Sequence, residues 1–368
     1  MLAQANAMRT AEELRETSEL APRLLVCPVM MSVRLGLSRA RTMAQSLRAL
    51  GNLSDDDIER FLRSYQLFDG DWSNRNGKQE GDIVDYYRVL NHLCSLGNVE
   101  KMYIPPAMDP KVGVRANQDL YEEHLCRTLG IGANDRVLDI GCGRGRIACH
   151  VAQQSGARVT GLNLDPGQVE NAREFAQMNG LGEKAEFVVG SMNDPLPFAD
   201  DTFDGAYEVQ AFSYAPDLLK VMREVFRVLR PGASFSYLDW VLLPRFDPTN
   251  AHHAHLLHRS RFVLGGVDVP RPEQVIAAMQ SAGFEFVREG NPGAEKQAGL
   301  IKAEGHTFTV VKSLIYGLVA AGVLPEYFAL LFARFTRHGD ALVECDELEL
   351  STTTYEIIAR KPPARLQY

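Results

Sequence analysis

The stretch Val137-Leu138-Asp139-Ile140-Gly141-Cys142-Gly143-Arg144-Gly145 decides the fold of this 368-residue chain. It starts with an apolar run that is typical of a parallel strand buried on both faces. The run stops at alternate glycines, and a helical pattern, IACHVAQQSG, follows directly. Glycine adopts positive φ angles and lets the backbone come close to a ligand. The stretch therefore predicts a strand, a tight ligand-binding turn and a helix.

Strand and helix patterns alternate on the C-terminal side of this turn. The strands read RVTGLNL, AEFVVG, TFDGAYEVQAF and SFSYLDWVLL, and the helices read PGQVENAREFAQMNG and PDLLKVMREVFRVLRPG. Such βα units predict an α/β fold, a mostly parallel sheet with helices on both faces. TNAHHAHLLHRSRFVLGG interrupts the rhythm, which resumes with RPEQVIAAMQSAG and FEFVRE and closes with TTTYEIIARKP.

The whole chain divides into four predicted parts. They are a helical N-terminal extension (1–80), a core with its preceding helices (81–290), a helical insert (291–346) and a final strand with its tail (347–368). SDDDIERFL in the extension is typical of an N-cap with an acidic first turn. The apolar run in the insert is broken at Pro325 and Glu326, which favours short helices over an apolar cavity rather than a membrane span.

Composition excludes several classes of function. The net charge of -8 makes nucleic acid a poor partner, since phosphate contacts need clustered cations. The mean hydropathy of -0.17 excludes a multi-span membrane protein. The 6 cysteines form no CxxC motif and predict reduced thiols in the cytoplasm. The basic segment 34–48 leaves organellar targeting open, and the oligomeric state stays open as well.

The glycine spacing separates two classes of ligand. A dinucleotide site has GxGxxG with an acid about 20 residues further on, whereas this turn has GxGxG with Asp139 in front of it. The turn resembles motif I of the class I S-adenosylmethionine-dependent methyltransferases. GSMNDPLPFADDTFD and VLRPGASF resemble later motifs of that class. The resemblance implies a Rossmann-like fold with S-adenosylmethionine as cofactor and S-adenosylhomocysteine as product.

This resemblance also implies the cofactor-binding residues, which follow successive strands. Asn163 takes the place of a ribose-binding acid, Ser191 and Met192 flank the adenine, and Gln210 lies beside the methionine end of the cofactor. The predicted set is Asp139, Gly141, Cys142, Gly143, Gly145, Asn163, Leu164, Gln168, Ser191, Met192 and Gln210.

From about residue 82 to 363 the chain is similar to the sterol 24-C-methyltransferase family. The resemblance rests on GLNLDPGQVENAREFAQMNGL, FDGAYEVQAFSYAPDLLKVMREVFRVLRPGASF, DWV before PRFDPTNAHH, and YEIIARKP. It implies a sterol or isoprenoid acceptor beneath a helical cap. The family's Glu-Ala-Thr-x-His-Ala-Pro run reads QAFSYAP here, so that Gln210 replaces its acid and Tyr214 its histidine.

These replacements leave the acceptor open. Alkylation of a sterol alkene makes a cation that must lose a proton to a base, and a neutral Gln210 is no base. The alternative acceptor is a small polar acid, such as a methylthio-hydroxy acid, methylated on sulfur, nitrogen or oxygen. A hydroxyl or ammonium acceptor needs a base, for which Glu208 and Asp239 are candidates. A binding protein without turnover is a third possibility.

The substrate-binding candidates lie outside the glycine turn. Tyr86 and Tyr87 take the place of a tyrosine pair thought to close over the active site in the sterol family, and Tyr214 is a further contact. His255, Arg259 and Arg261 are candidates for holding an acidic substrate. The histidines from His252 to His258 have helical spacing, but no nearby acid or cysteine completes a zinc pattern, and no metal site is predicted.

Overall fold

The computed structural model describes residues 42–69, 78–294 and 296–364. The chain forms two compact units, Met1–Gln45 and Ser46–Tyr368. Only residues 42–45 of the first unit are described, and they are helical. The second unit starts with helical residues 46–51, followed by α1 (Asp55–Ser64), α2 (Lys78–Leu96) and α3 (Val114–Leu129). Helix α1 begins as predicted, because Ser54 Oγ accepts a hydrogen bond from the Asp57 amide in a capping box.

A seven-stranded sheet forms the centre of the larger unit, in the order β3-β2-β1-β4-β5-β7-β6. The strands are β1 (Arg136–Ile140), β2 (Arg158–Asn163), β3 (Ala185–Val189), β4 (Phe203–Val209), β5 (Leu229–Leu242), β6 (Glu285–Gly290) and β7 (Ser351–Arg360). Strands β1 to β5 pair in parallel, and β7 runs antiparallel to β5 and β6. The predicted α/β class with a mostly parallel sheet is confirmed.

Five helices connect the strands. They are α4 (Arg146–Ser155), α5 (Pro166–Met178), α6 (Leu218–Val228), α7 (Ala251–Leu264) and α8 (Pro272–Ala282). Helices α5, α6 and α7 begin at the capping side chains of Asp165, Asp217 and Asn250. Asp165 caps α5 by accepting from the Gly167 amide, with Pro166 in the first turn. The reversal of strand order between β1 and β4 places the ends of both strands at one crevice, where ligands of such sheets bind.

Three further helices stand between β6 and β7. They are α9 (Ala298–Ala320), α10 (Tyr327–Phe335) and α11 (Gly339–Glu347). Pro325 and Glu326 do separate two helices, but α9 has 23 residues, so the prediction of short helices is wrong for this element. Among the described residues, no helix combines the length and the apolar character that a membrane crossing needs.

Candidate active site

A cavity opens at the carboxyl ends of β1, β2, β3 and β4, and we call it the donor cavity. The structure brings most of the predicted cofactor-binding residues together in its wall, whereas Asp139 and Gly145 lie behind that wall. The predicted residues in the wall are Gly141, Cys142, Gly143, Asn163, Leu164, Gln168, Ser191, Met192 and Gln210, together with Tyr87 and Tyr214.

The glycine turn is shaped for close approach of a ligand. Gly141, Gly143 and Gly145 have φ angles of 80°, 51° and 70°. A Cβ on Gly141 would lie 2.4 Å from Ala211 Cβ, and a Cβ on Gly145 would lie 2.6 Å from the Phe187 ring. The turn is therefore a cradle that only glycine fits, because side chains at Gly141 and Gly145 would clash with Ala211 and Phe187 of the protein itself. The backbone of Gly141 and Gly143 lines the donor cavity, which fits a bound nucleoside-like cofactor.

Neutral amides follow the turn at the end of β2. Asn163 Oδ1 accepts a hydrogen bond from the Gly143 amide at 3.2 Å, and Asn163 Nδ2 donates to Gln168 Oε1 at 3.0 Å. At the end of β3, Ser191 Oγ donates to Glu80 Oε1 at 2.5 Å. The donors and acceptors of these side chains suit hydroxyl groups and ring nitrogens of a nucleoside.

The three predicted carboxylates near the strand ends, Asp139, Glu208 and Asp239, do not line the donor cavity. Asp139 is 2% exposed, its Oδ2 atom has no partner, and burial raises the pKa of its carboxyl to about 7. Glu208 accepts from the amides of Ala211 and Leu238, and burial raises its pKa. The main-chain amides of Trp240, Phe212 and Ser213 satisfy Asp239 in the same way. The candidate bases Glu208 and Asp239 thus support the ends of β4 and β5.

Gln210 lies where the donor cavity meets a second cavity. Its φ angle of 54° follows the turn after β4. Its Nε2 atom donates to the carbonyl oxygens of Ile104 and Thr353 at 2.8 and 2.7 Å, and its Oε1 atom accepts from the Ile104 amide at 3.1 Å. These three hydrogen bonds fix the Gln210 amide group against Ile104 and Thr353. The amide carries no charge in this place.

The second cavity, called the acceptor cavity here, has a volume of about 1010 Å³. Helices α9 and α11 form one of its sides, and most of its lining side chains are apolar. They include Leu90, Cys94, Val99, Ile104, Val263, Leu264, Ile301, Phe308, Phe335, Leu342 and Val343. Tyr87, Met102, Tyr103 and Gln210 line both cavities and mark the junction between them.

The structure separates the predicted substrate-binding residues into two groups. Tyr87 and Tyr214 lie at the donor cavity, with their hydroxyl oxygens 3.2 Å apart. Tyr86 lies behind them, 1% exposed, and packs against Phe68 with ring centroids 5.1 Å apart. Tyr86 therefore belongs to an aromatic core and lines neither cavity.

The basic candidates on α7 also line neither cavity. His255 is exposed, and Arg259 Nη2 pairs with Asp340 at 2.6 Å. Arg261 is partly buried, and this burial lowers its pKa. The neighbouring histidines have unrelated partners, because His252 Nε2 lies 2.9 Å from Glu344 and His258 Nε2 lies 3.6 Å from Asp69. The structure therefore does not bring these groups together around one ligand.

Sequence reasoning missed several residues of the site. Glu80 reaches the donor cavity from α2, far away along the chain. Arg144 stands inside the glycine turn, but the sequence analysis predicts no function for its side chain. Tyr103 lies in the proline-containing piece MYIPPAMDPKVG, where a buried aromatic beside prolines was the available signal.

The sheet order, the glycine cradle and the donor cavity define a class I S-adenosylmethionine-dependent methyltransferase, and S-adenosylmethionine is its methyl donor. The methyltransferase domain family (Methyltransf_11) matches residues 138–237. The geranyl diphosphate C-methyltransferase of Streptomyces coelicolor A3(2), crystallised with S-adenosyl-L-homocysteine, superposes with a TM-score of 0.56 at 17% identity, over 77% of this chain and 97% of that one.

Comparison with curated sequences places the chain more narrowly. It is 33% identical over 240 residues to methyltransferase phqN of Penicillium fellutanum, covering 65% of this chain and 69% of that protein. It is 31% identical over 265 residues to sterol 24-C-methyltransferase ERG6A of Gibberella zeae, covering 66% and 69%. The chain belongs to the methyltransferase family that includes the sterol 24-C-methyltransferases.

Proposed function

We propose that this enzyme methylates an alkene carbon of a large apolar acceptor, a sterol or another isoprenoid. The observation that carries this proposal is the acceptor cavity of about 1010 Å³, which opens at the donor cavity. Small-molecule sites have volumes of about 300–1000 Å³, so this cavity is at the large end of the range. Its apolar wall suits burial of a hydrocarbon skeleton.

The insert 291–346 is the proposed acceptor cap. The inward face of α9 carries Ile301, Glu304 and Phe308 at helical spacing, and all three line the acceptor cavity. Leu342 and Val343 of α11 line it as well. The cap holds an apolar acceptor against the junction of the two cavities and excludes water from that junction.

The chain's own residues have clear tasks in this reaction. Bound S-adenosylmethionine supplies an electrophilic methyl group together with its leaving group. The glycine turn, Asn163 and Ser191 hold this donor at the strand ends. The rings of Tyr87 and Tyr103 at the junction present aromatic faces, which stabilise positive charge on an alkylated alkene.

The alternative of a small polar acid finds less support in the site. It needs a cationic group in the acceptor cavity that is available to the substrate. Lys302 lines this cavity but pairs with Glu347, and Arg259 pairs with Asp340 outside it. The similarity to sterol 24-C-methyltransferase ERG6A supports a sterol as the methyl acceptor. The net charge of -8 supports a small-molecule acceptor over a nucleic acid. The cysteines of the described segments are free, which supports the cytoplasm as compartment.

Label partition tests the proposed function. The protein is incubated with methyl-labelled S-adenosylmethionine and either a sterol that has a side-chain double bond, a linear isoprenoid alkene or a polar extract. We expect label in the organic phase, in a product one carbon heavier than the alkene. Label found only in the aqueous phase, in a polar acid, would contradict the proposal.

A further inference from the structure

A chain of hydrogen bonds runs from the cavity junction towards the surface. Tyr103 lines both cavities, and its hydroxyl donates to Glu122 Oε1 at 2.9 Å. The other oxygen, Glu122 Oε2, lies 2.5 Å from His150 Nδ1. The second ring nitrogen, His150 Nε2, lies 3.1 Å from the amide nitrogen of Gln154, a contact that is exposed. These contacts connect the junction with solvent through three titratable side chains.

The middle of this chain is a carboxylate buried in an unusual setting. Glu122 is 0% exposed, on α3. Lys101 Nζ donates to Glu122 Oε2 at 2.6 Å and to Asp119 Oδ1 at 2.7 Å. Asp119, Glu122 and His150 offer ligand atoms within 4.8 Å of one another, but the Lys101 ammonium already supplies the positive charge among the carboxylates. Lys101 therefore takes the place that a metal ion would have among these oxygen atoms.

The other carboxylates near the junction suit this task less well. Both oxygens of Glu208 and both of Asp239 accept from main-chain amides. Glu304 lines the acceptor cavity, but it is only partly buried, on the cap helix α9. Within the described part of the chain, Tyr103 is the side chain of the junction that is bonded directly to a buried carboxylate.

We propose that Tyr103, Glu122 and His150 form the proton exit of this methyltransferase, and this inference rests on the proposed alkene C-methylation. After the alkene has formed its new carbon–carbon bond, a neighbouring C–H bond breaks. Its electron pair forms the new double bond, and its proton moves to Tyr103 Oη while the Tyr103 proton moves to Glu122 Oε1. As Glu122 gains this proton at Oε1, the proton shared between Glu122 Oε2 and His150 Nδ1 moves onto the ring, and His150 releases another from Nε2 to solvent.

Product analysis of matched variants tests this exit. Tyr103→Phe removes one oxygen atom and Glu122→Gln removes the acceptor of the proton, with little change in shape. We expect both variants to lower kcat about 10²–10⁴-fold, the range of general base catalysis, at a KM within threefold of wild type. A cation that keeps its proton adds water instead, so we also expect an alcohol product, about 18 mass units above the methylated alkene that the wild type forms, by mass spectrometry of the organic phase.

The control is Asp119→Asn, which alters the same acidic cluster but does not touch Tyr103. It should give the wild-type product and wild-type kcat. Calorimetric binding of S-adenosylmethionine and thermal unfolding show whether each variant is folded, and His150→Gln is a second probe in case Glu122→Gln is unstable. A wild-type kcat in Tyr103→Phe, with no alcohol product, would overturn the proposed proton exit. A lowered kcat with alcohol product found only in Glu304→Gln would overturn it as well. A wild-type enzyme that transfers no label to any alkene would instead refute the proposed function, and the exit with it.

Discussion

The guanidinium group of Arg144 donates a hydrogen bond to Ser95 Oγ at 2.8 Å, which ties the glycine turn to the end of helix α2. The same group donates to the carbonyl oxygens of Val99 and Glu100 at 3.3 and 2.9 Å. Arg144 is thus the bridge between the motif that holds the donor and the segment leading to the junction residues Met102 and Tyr103. Removal of this bridge should loosen one wall of the donor cavity.

We therefore expect Arg144→Ala to weaken binding of S-adenosylmethionine about tenfold or more. Hydrogen bonds from charged groups contribute about 1.5–3 kcal/mol each, and a factor of ten in Kd corresponds to about 1.4 kcal/mol. Calorimetric titration measures the Kd. Arg127→Ala is the control, because its side chain is 68% exposed on α3. An unchanged Kd in Arg144→Ala would show that the bridge does not shape the site.

Gly141→Ala tests the close approach in the glycine turn. Gly141 has a φ angle of 80°, and Gly232, near the amino end of β5, has 87°, with no atom within 4 Å of a built Cβ. An alanine in this region costs about 1–2 kcal/mol at either position. Only at Gly141 does the new methyl group meet Ala211 Cβ, at 2.4 Å. We expect denaturant unfolding to show a larger loss of stability in Gly141→Ala than in Gly232→Ala, and calorimetry to show lost donor binding in Gly141→Ala alone.

The sheet and the donor cavity could be read from the sequence because their signals are local. The strand Arg136–Ile140, the glycines after it and the capping residue Asp165 each act over a few positions, and the α/β rhythm orders the strands around them. Parallel strands bring their carboxyl ends to one edge. The resemblance to the methyltransferase motifs adds which residues lie at this edge, among them Gly141, Asn163 and Ser191.

The acceptor side depends on contacts that no local pattern reveals. Tyr103 and Glu122 are 19 positions apart and meet only because an irregular segment packs against α3. Glu208 reads as a candidate base from its place at a strand end, yet main-chain amides that the turn after β4 presents satisfy it. His255 and Arg259 on α7 read as candidates for holding an acidic substrate, but Arg259 pairs with Asp340 of α11 and His255 is exposed.

The size of the acceptor cavity can be tested by a substitution that fills it. Val343 is partly buried and lines the cavity from α11, so Val343→Phe should displace part of a large acceptor. A steric cost of roughly 1–3 kcal/mol corresponds to a rise in the acceptor KM of about 5- to 150-fold, with the donor Kd unchanged. Val287→Phe, at a position 52% exposed on β6, is the matched control. Equal KM values for both variants would place the acceptor elsewhere.

The buried carboxyl of Asp139 makes the stability of the enzyme depend on pH. Because burial favours the protonated carboxyl, this stability falls as the pH rises. Desolvation raises the pKa of its carboxyl from 3.8 to about 7, so the folded state keeps a proton that the unfolded state has released. The contribution of the Asp139 carboxyl to the free energy of unfolding is fully present below pH 3.8 and is lost as the pH rises to about 7. Above that pH it does not change further. The substitution Asp139→Asn replaces this carboxyl with an amide that stays neutral at every pH.

We therefore expect the free energy of unfolding of Asp139→Asn to gain on wild type as the pH rises from about 4 to 7, by up to about 1.4 kcal/mol per pH unit. Urea unfolding without donor at a series of pH values measures this difference. Asp57→Asn is the control, because hydrogen bonds from Ser54 lower the pKa of Asp57 to about 2. Asp57 is then ionised in the folded and in the unfolded state above about pH 4. The free energy of unfolding of Asp57→Asn should therefore change with pH in the same way as that of wild type. A parallel course for Asp139→Asn would mean that its carboxyl is hydrated or paired in the folded protein.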